Sequence, residues 1–430
     1  MKDVESDLAT RYGPLVGIME GSSRVLIVSD AQMIDCIFIK HFAVFCDNKN
    51  YYFHPIIVQG VLTANGEHWR RSRKIIRPGF TSFRLRPLIP RIESCLSSLE
   101  THLHETVKRS IVIDMNLVME TYMIDIVATV LFGIDGDIYQ EESQFARKAE
   151  EVTKVPFWKL LAFVFLPESM LRYLQLNLTP YQSTQFFLTL LRLLMEERRQ
   201  PSISTKGTND FVDILINCRT QNGITLSEEE ILGNMFQFFI AGMETTSGTL
   251  STACHALAVH PNMQQRLRAD VTKEDFDPSK LVEDSYLNAF IQENLRVYPH
   301  TVRIDRIATT TVHLNLNGKD VLIEAGTKVR LPIYHMNHDA NLFPDAGEFD
   351  PERFMPGGKS YGQRIYTFAA GPRNCIGENF ARLVMRLTLA HLVSHYDIKR
   401  SALTTEQLDF SRSHLLLCSE SNFITLEKIS

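Results

Sequence analysis

The segment from Phe368 to Gly377 contains the strongest candidate for chemistry in this chain, Cys375. Apolar residues at helical spacing follow it directly, so Cys375 is predicted to precede the first turn of a helix. Free N–H groups and the positive dipole end of that helix would favour a thiolate. Gly371 and Gly377 would let the backbone approach a flat ligand, and Arg373 could pair with an anionic group on its edge. A lone cysteine is usually a small buried hydrophobic residue. The residue types around Cys375 instead indicate that this cysteine takes part in binding a ligand.

A second candidate segment, residues 241–246, reads Ala-Gly-Met-Glu-Thr-Thr within a long pattern of helical period. Ser227 and Glu230 form a capping box that predicts the start of this helix, and the pattern continues to His260. Such a helix is roughly 50 Å long and would cross a large domain. A glycine inside it costs about 1 kcal/mol, and a carboxylate costs more unless it has a partner. The segment is therefore either a packing glycine beside a buried ion pair or the lining of a functional cavity.

Two further segments combine charged residues at helical spacing. Glu293 and Arg296 lie three residues apart on a helix that is predicted to end before Pro299, a spacing that usually indicates a surface ion pair. Trp69 and Arg73 fall on one face of a basic helix, where a solvated run of charges is the ordinary interpretation. The local spacing alone does not assign a function to either segment.

Taken together, these segments resemble the cytochromes P450, from about residue 12 to the C-terminus. Phe-x-x-Gly-x-Arg-x-Cys-x-Gly is similar to the haem-binding loop of that family, in which a cysteine thiolate binds the iron. Residues 241–246 are similar to its oxygen-side helix, and residues 293–296, 351–354 and 69–73 to its ExxR, PERF and WxxxR motifs. The residues within these motifs are most similar to those of the animal microsomal branch that includes the 3A enzymes and thromboxane synthase. The resemblance implies a mainly α fold with a small β-sheet region, built as one domain around a buried haem.

The resemblance also implies roles for individual residues. Cys375 would be the axial ligand of haem b (iron protoporphyrin IX). The residues expected to contact the haem are Trp69, Arg73, Ala241, Gly242, Arg306, Phe368, Gly371, Arg373, Cys375 and Gly377. Thr245 and Glu244 would deliver protons to bound dioxygen. Glu293 would bridge Arg296 and Arg353 in a buried structural triad.

Composition is consistent with an enzyme of this kind. The chain has 430 residues, of which 44% are hydrophobic, and this excludes a disordered protein. A net charge of −5 argues against nucleic acid as the main partner. The seven cysteines include no CxxC pair, which argues against a zinc ribbon or a disulfide framework. His335, His338 and Asp339 stand at one-turn spacing, but no neighbouring ligands support a metal site there.

Electrons must come from outside the chain, because the sequence has no GxGxxG for a nicotinamide or flavin cofactor. The resemblance implies an NADPH-dependent reductase as the donor. The outward residues Arg70, Arg71 and Lys74 on the predicted basic helix form a plausible dock for an acidic partner.

The chain shows no repeat or linker, so residues 1–430 are predicted to form a single domain. Most of the first 350 residues favour helix, with a short strand at 24–29. Residues 311–333 favour β structure, with a hairpin turn at Asn317-Gly318. The pocket is expected to draw on residues 51–61, 155–178, 300–304 and 414–417 and on Phe238.

No stretch of the sequence is apolar enough to span a membrane. Relatives carry an N-terminal anchor ahead of the segment corresponding to Tyr12-Gly13, so the resemblance implies the cytosolic face of the endoplasmic reticulum membrane. The apolar run 157–166 could touch a membrane, form the substrate entrance or be ordinary core. Two other functions stay open: a haem-thiolate isomerase that rearranges peroxides without a reductase, and a non-enzymatic haem carrier or gas sensor.

Overall fold

The computed structural model describes residues 2–48, 54–109, 112–134, 138–140, 143–153, 155–166, 168–200, 210–219, 223–273, 276–280, 285–410 and 416–429. Its helices are α1 Lys2–Tyr12, α2 Ala31–Asp35, α3 Gly66–Ile76, α4 Ser82–Leu85, α5 Ile89–Arg109, α6 Met115–Ile126, α7 Gln144–Thr153, α8 Phe157–Phe165, α9 Glu168–Tyr173, α10 Tyr181–Arg198, α11 Phe211–Asn217, α12 Glu228–Val259, α13 Pro261–Val271, α14 Tyr286–Val297, α15 Ile333–Asn337 and α16 Glu378–His395. Its strands are β1 Leu15–Glu20, β2 Ser23–Val28, β3 Ile113–Asp114, β4 Ile304–Ile307, β5 Val312–Leu316, β6 Lys319–Ile323, β7 Lys328–Leu331, β8 Tyr396–Arg400 and β9 Phe423–Lys428. The mainly α prediction is confirmed.

The long central helix is α12. The Ser227 hydroxyl accepts a hydrogen bond from the Glu230 N–H (3.2 Å), and a Glu230 carboxylate oxygen accepts one from the Ser227 N–H (2.7 Å). His260 ends the helix after 32 residues, or roughly 48 Å. The predicted capping box and both helix ends are therefore confirmed. Most of α12 is buried, and α6 and α10 pack against it.

The strands form small sheets around the helices. The largest has the order β1-β2-β7-β4, in which only the β2–β7 pair is parallel. The predicted hairpin is β5–β6, and its turn residues Asn317 and Gly318 both have positive φ, 50° and 83°. That geometry suits the twist of a two-residue hairpin. Strand β1 was not predicted from the sequence. It pairs with β2 in antiparallel orientation along its whole length.

A cluster of charges lies on one face of the largest sheet. Lys328 and Arg330 alternate on β7, and both contact Glu20 at the end of β1, at 2.8 Å and 3.1 Å. Arg330 also binds Asp305 of β4 at 2.7 Å. Burial alone would raise the pKa of Glu20, but the hydrogen bond from Lys328 and the charge of Arg330 outweigh it and lower this pKa to about 2.

Aromatic rings fill the space between α12 and its neighbours. Phe239 of α12 lies 4.4 Å from Phe187 of α10 and 5.8 Å from Phe145 of α7, measured between ring centroids. Each such pair contributes about 0.5–1.5 kcal/mol beyond its buried area. These rings belong to a core cluster whose buried hydrophobic members are spread along the chain between Ile57 and Leu426. Within the described residues, no helix is both long enough and apolar enough to cross a membrane.

Candidate active site

A buried carboxylate on α14 holds two guanidinium groups. Both oxygens of Glu293 accept hydrogen bonds from Arg296, each at 2.7 Å. Arg353, from the 3₁₀ turn Pro351–Phe354, binds the same carboxylate at 3.1 Å. All three side chains are at most 1% exposed. The structure therefore brings together the three residues that the resemblance placed in a triad.

The remaining donors of this triad fix the chain that leads to Cys375. Arg296 donates to the carbonyl oxygens of Asn337, Ala346 and Glu348, each at 2.9 Å. Arg353 donates to the carbonyl oxygen of Pro344 at 2.7 Å. Loss of one member of such a buried group typically costs 3–5 kcal/mol. The triad consequently joins α14 to the segment between α15 and the Cys375 loop.

Cys375 stands where the sequence predicts, two residues before Gly377 at the N-cap of α16. Its N–H donates to the Phe368 carbonyl at 2.9 Å, which closes the loop. The thiol lies deep in the molecule yet has accessible surface, so it faces an internal space. Burial raises the pKa of Cys375 to about 11, although the N–H groups of Gly377 and Glu378 and the charge of Arg73 act to lower it. The helix end therefore acts in the predicted direction, toward the thiolate, but burial outweighs it.

The two glycines of the Cys375 loop, Gly371 and Gly377, have different surroundings. Gly371 has φ +76°, and a Cβ there would collide with the carbonyl oxygen of Phe38. The glycine is therefore required for close packing against protein backbone on this side, and the expectation that it lets the backbone approach a flat ligand stays a prediction. A Cβ at Gly377 would meet no atom within 4 Å, so open space lies on that side.

Three arginines surround the space beside Cys375. Arg73 donates to the Asn374 carbonyl at 2.8 Å, and Arg306 donates to the Arg373 carbonyl at 3.3 Å. Burial lowers the pKa of Arg306 to about 10. Burial together with the charge of Arg306 lowers the pKa of Arg373 to about 9. The Nε atoms of Arg73 and Arg373 are buried without a hydrogen-bond partner, so the cluster is suited to receive an anionic group.

Two aromatic rings near Cys375 contact guanidinium groups, one of them that of Arg373. The Arg373 guanidinium is 4.5 Å from the centroid of the buried Trp69 ring, and Arg382 is 5.0 Å from that of Phe368. Each arrangement is a cation–π contact, which helps to hold a guanidinium away from water. Trp69 and Arg73 lie on α3, as predicted.

The basic face of α3 is smaller than predicted. Arg70 and Lys74 are exposed, in agreement with the expectation. Arg71 is half-buried and pairs with Glu230 at the start of α12. The prediction that Arg71 points outward is therefore wrong, because this buried carboxylate draws it against the protein.

One stripe of α12 faces an internal space. Ala241 is exposed although it stands in the middle of a buried helix, and Glu244 and Thr245 one turn later are half-buried. The Thr245 hydroxyl donates to the Ala241 carbonyl at 2.7 Å. The side-chain position of Gly242 points instead at Val127, 3.6 Å away, where an alanine would fit. The glycine is therefore not required by close packing.

A cavity of about 720 Å³ opens against this stripe. It is lined by Ile57, Val155, Leu178, Ile240, Glu244, Gly248, His300, Leu416, Leu417 and Cys418, among others. Residues from four of the expected pocket segments are present, whereas 51–53 and 411–415 lie outside the described residues. Phe238 does not line the cavity, because it packs on Phe80 and Phe211 at centroid distances of 5.3 and 4.9 Å.

Glu244 has unusual surroundings in this cavity. Burial raises the pKa of Glu244 to about 7, and a hydrogen bond from the Cys418 thiol at 3.7 Å partly offsets this. Cys418 also contacts His300 Nε2 at 3.5 Å. Burial lowers the pKa of His300 to about 4. Cys418 was not predicted as a functional residue, since a lone cysteine 118 residues from His300 in the sequence carries no local signal.

A sequence model of the family described as Cytochrome P450 matches residues 1–426. The chain belongs to the cytochrome P450 family. Membership identifies a haem monooxygenase, as the loop around Cys375 and the long helix α12 predicted.

Curated relatives similar to this cytochrome P450 include proteins named cytochrome P450 3A. Cytochrome P450 3A41 of Mus musculus is 30% identical over 426 residues, which cover 94% of this chain and 83% of the relative. Cytochrome P450 3A1 of Rattus norvegicus has the same identity and coverage. Lithocholate 6-beta-hydroxylase of Mesocricetus auratus is 28% identical over 423 residues, with 94% and 83% covered. The predicted resemblance to the 3A branch is confirmed.

The residues of this cytochrome P450 fit a haem. An accessible thiol, guanidinium groups with unsatisfied donors and the open stripe of α12 supply a metal ligand, anion partners and space. Among the described residues, the groups suited to hold a separate metal ion do not include the His335–Asp339 stretch.

An apolar surface lies on α8 and α9. Trp158, Phe165 and Tyr173 are 55%, 66% and 85% exposed. Within the run 157–166, the core interpretation is therefore wrong for Trp158 and Phe165, whereas Phe163 is buried. The two other interpretations of this run, a substrate entrance and a membrane contact, stay open.

Proposed function

We propose that this cytochrome P450 inserts one atom of dioxygen into an apolar organic substrate, with electrons from an external NADPH-dependent reductase. The observation that carries the proposal is Glu244, a buried acid with a pKa near 7 beside Thr245 on the open stripe of α12. A proton donor with this pKa works well near neutral pH.

The proposed cofactor is haem b. Cys375 would bind its iron, and Arg73, Arg306 and Arg373 would pair with its carboxylates over the ring of Trp69. A haem bound through a thiolate supplies an iron centre that activates dioxygen and favours O–O cleavage. Phe368, Gly377 and Ala241 would border the ring.

The proposed acid chemistry belongs to α12. Glu244 would hold a proton near neutral pH and release it toward the oxygen side, taking its replacement from water in the cavity. Because the Thr245 hydrogen is given to Ala241, its oxygen lone pairs stay available to hold a water molecule in place. Two protons must be delivered for each oxygen atom that leaves as water.

The proposed substrate occupies the 720 Å³ cavity, which is in the range for a drug-sized molecule. Apolar walls such as Ile240 and Leu417 suit a xenobiotic, steroid or fatty-acid-like frame. The name of one relative, lithocholate 6-beta-hydroxylase, supports a steroid-like substrate.

The proposed partners lie on two different faces. Arg70 and Lys74 on α3 would dock the acidic face of the reductase. Trp158, Phe165 and Tyr173 would contact the cytosolic face of the endoplasmic reticulum membrane, where aromatic side chains are stable at the interface.

Reconstitution with NADPH and its reductase tests the proposal. Wild type should form hydroxylated product only with NADPH and reductase, and Glu244→Gln should slow turnover at least about tenfold. Glu420→Gln is the matched control, since Glu420 is an acid that lines the same cavity. Turnover of an endoperoxide without reductase would replace the proposal with the isomerase function. Absence of any substrate-induced spectral shift would favour a haem carrier or gas sensor.

A further inference from the structure

Three side chains that can bind a metal ion converge in the wall of the active-site cavity. Glu244 lies on α12, His300 follows α14 and Cys418 precedes β9. One ligating atom from each lies within 4.8 Å of the other two. All three residues line the same cavity, so a fourth position can be filled from it.

Two of the three distances between these atoms are close to those of a tetrahedral zinc site. With bonds of about 2.0 Å to nitrogen or oxygen and about 2.3 Å to sulfur, tetrahedral ligand atoms stand about 3.3–3.5 Å apart. The Cys418 sulfur is 3.5 Å from His300 Nε2 and 3.7 Å from Glu244 Oε1. Side-chain movements that bring Glu244 and His300, whose ligand atoms lie within 4.8 Å of each other, to the same separation would complete the site.

Backbone packing holds these ligands together. A Cβ at Gly248 would collide with the His300 imidazole, so the glycine makes room for the ring against α12. The Leu417 N–H donates to the His300 carbonyl at 2.7 Å, and Thr301 forms a β-bridge with Leu416. Both contacts bring the two ligand-bearing segments side by side.

The charge of the cavity also favours a cation. Asp114, Glu120 and Glu420 line it together with Glu244, and the lining residues that the structure describes include no lysine or arginine. A dication bound by one carboxylate, one thiolate and one neutral imidazole would be balanced in charge. Such a mixed oxygen, nitrogen and sulfur set suits zinc.

We propose that Glu244, His300 and Cys418 form a zinc site with one position open to the cavity. Zinc at this site would withdraw the Glu244 carboxylate from proton delivery and so inhibit oxygenation. The inhibition, unlike the site itself, rests on the proposed function.

Zinc binding to the holoenzyme tests the site. Wild-type protein is loaded with zinc chloride and freed of loosely held metal by gel filtration with a weak chelator. Its zinc is then counted, and its X-ray absorption at the zinc edge is recorded. We expect one retained zinc per chain, with one sulfur at about 2.3 Å and lighter ligands at about 2.0 Å. Cys418→Ser should remove the sulfur signal and weaken binding at least about tenfold.

Two further variants make the test specific. Cys36→Ser, a half-buried cysteine in another part of the fold, should bind zinc like wild type. Gly248→Ala should weaken binding by displacing His300, although it removes no ligand. Retention of zinc by Cys418→Ser equal to wild type, or no retention by wild type, would overturn the site.

The site and the oxygenase function can fail separately. Zinc content and the sulfur signal need no turnover, so a loss of oxygenase activity would leave the site standing. If wild type retains no zinc after loading but shows normal NADPH-dependent turnover, the zinc site is overturned and the oxygenase function is not.

Discussion

Replacing Glu293 with glutamine tests how strongly the buried triad stabilises the fold. The substitution keeps the size of the side chain but removes the charge shared by Arg296 and Arg353, which are 0% and 1% exposed. Two guanidinium groups would then lack their counter-charge, and a loss of about 3–5 kcal/mol in the free energy of unfolding is expected. This is a large part of the roughly 5–15 kcal/mol that stabilises a typical domain.

The assay is urea unfolding followed by tryptophan fluorescence, with haem content measured in parallel. Glu67→Gln is the matched control, because Glu67 pairs with Arg70 at the same i, i+3 spacing but is 85% exposed. Exposed pairs contribute about 0–1 kcal/mol, so this variant should unfold like wild type. Equal, small losses in both variants would refute the reasoning.

Three other predictions follow from the packing, charge and surface of the fold. Gly371→Ala should abolish haem incorporation, while Gly357→Ala, with a similar φ of +81° but no atom within 4 Å, should retain it in a haem titration. Because the pKa of Glu20 is lowered from 4.5 to about 2, its contribution is complete above pH 4.5 and lost as the pH falls toward 2. Acid unfolding curves should show this loss in wild type and not in the Glu20→Gln variant. Phe165→Ser should weaken binding to phospholipid vesicles in a sedimentation assay, and Leu403→Ser, which removes a similarly exposed apolar side chain elsewhere (58% against 66%), should not.

Local rules predicted the elements that position the site. The capping box at Ser227 and Glu230 depends on residues three apart, and it marks the start of α12 correctly. The hairpin at Asn317-Gly318 depends on the positive φ that these two residues tolerate, and it is confirmed. Such features need no knowledge of distant contacts.

Features that depend on distant contacts were harder to predict. The packing of Gly371 against Phe38 joins residues more than 300 positions apart, and the basic run on α3 does not reveal that Arg71 turns toward Glu230. The burial that raises the pKa of Cys375 against the effect of the helix end was not predicted either, because desolvation depends on the whole surrounding fold.

The most direct test of the account is the reduced, CO-bound spectrum of two cysteine variants. Cys375 and Cys418 both border internal space in this cytochrome P450, but only Cys375 is proposed as the iron ligand. We predict that wild type and Cys418→Ser give the band of a thiolate-bound haem and that Cys375→Ser does not. A thiolate band that persists in Cys375→Ser, or that is lost in Cys418→Ser instead, would contradict the account.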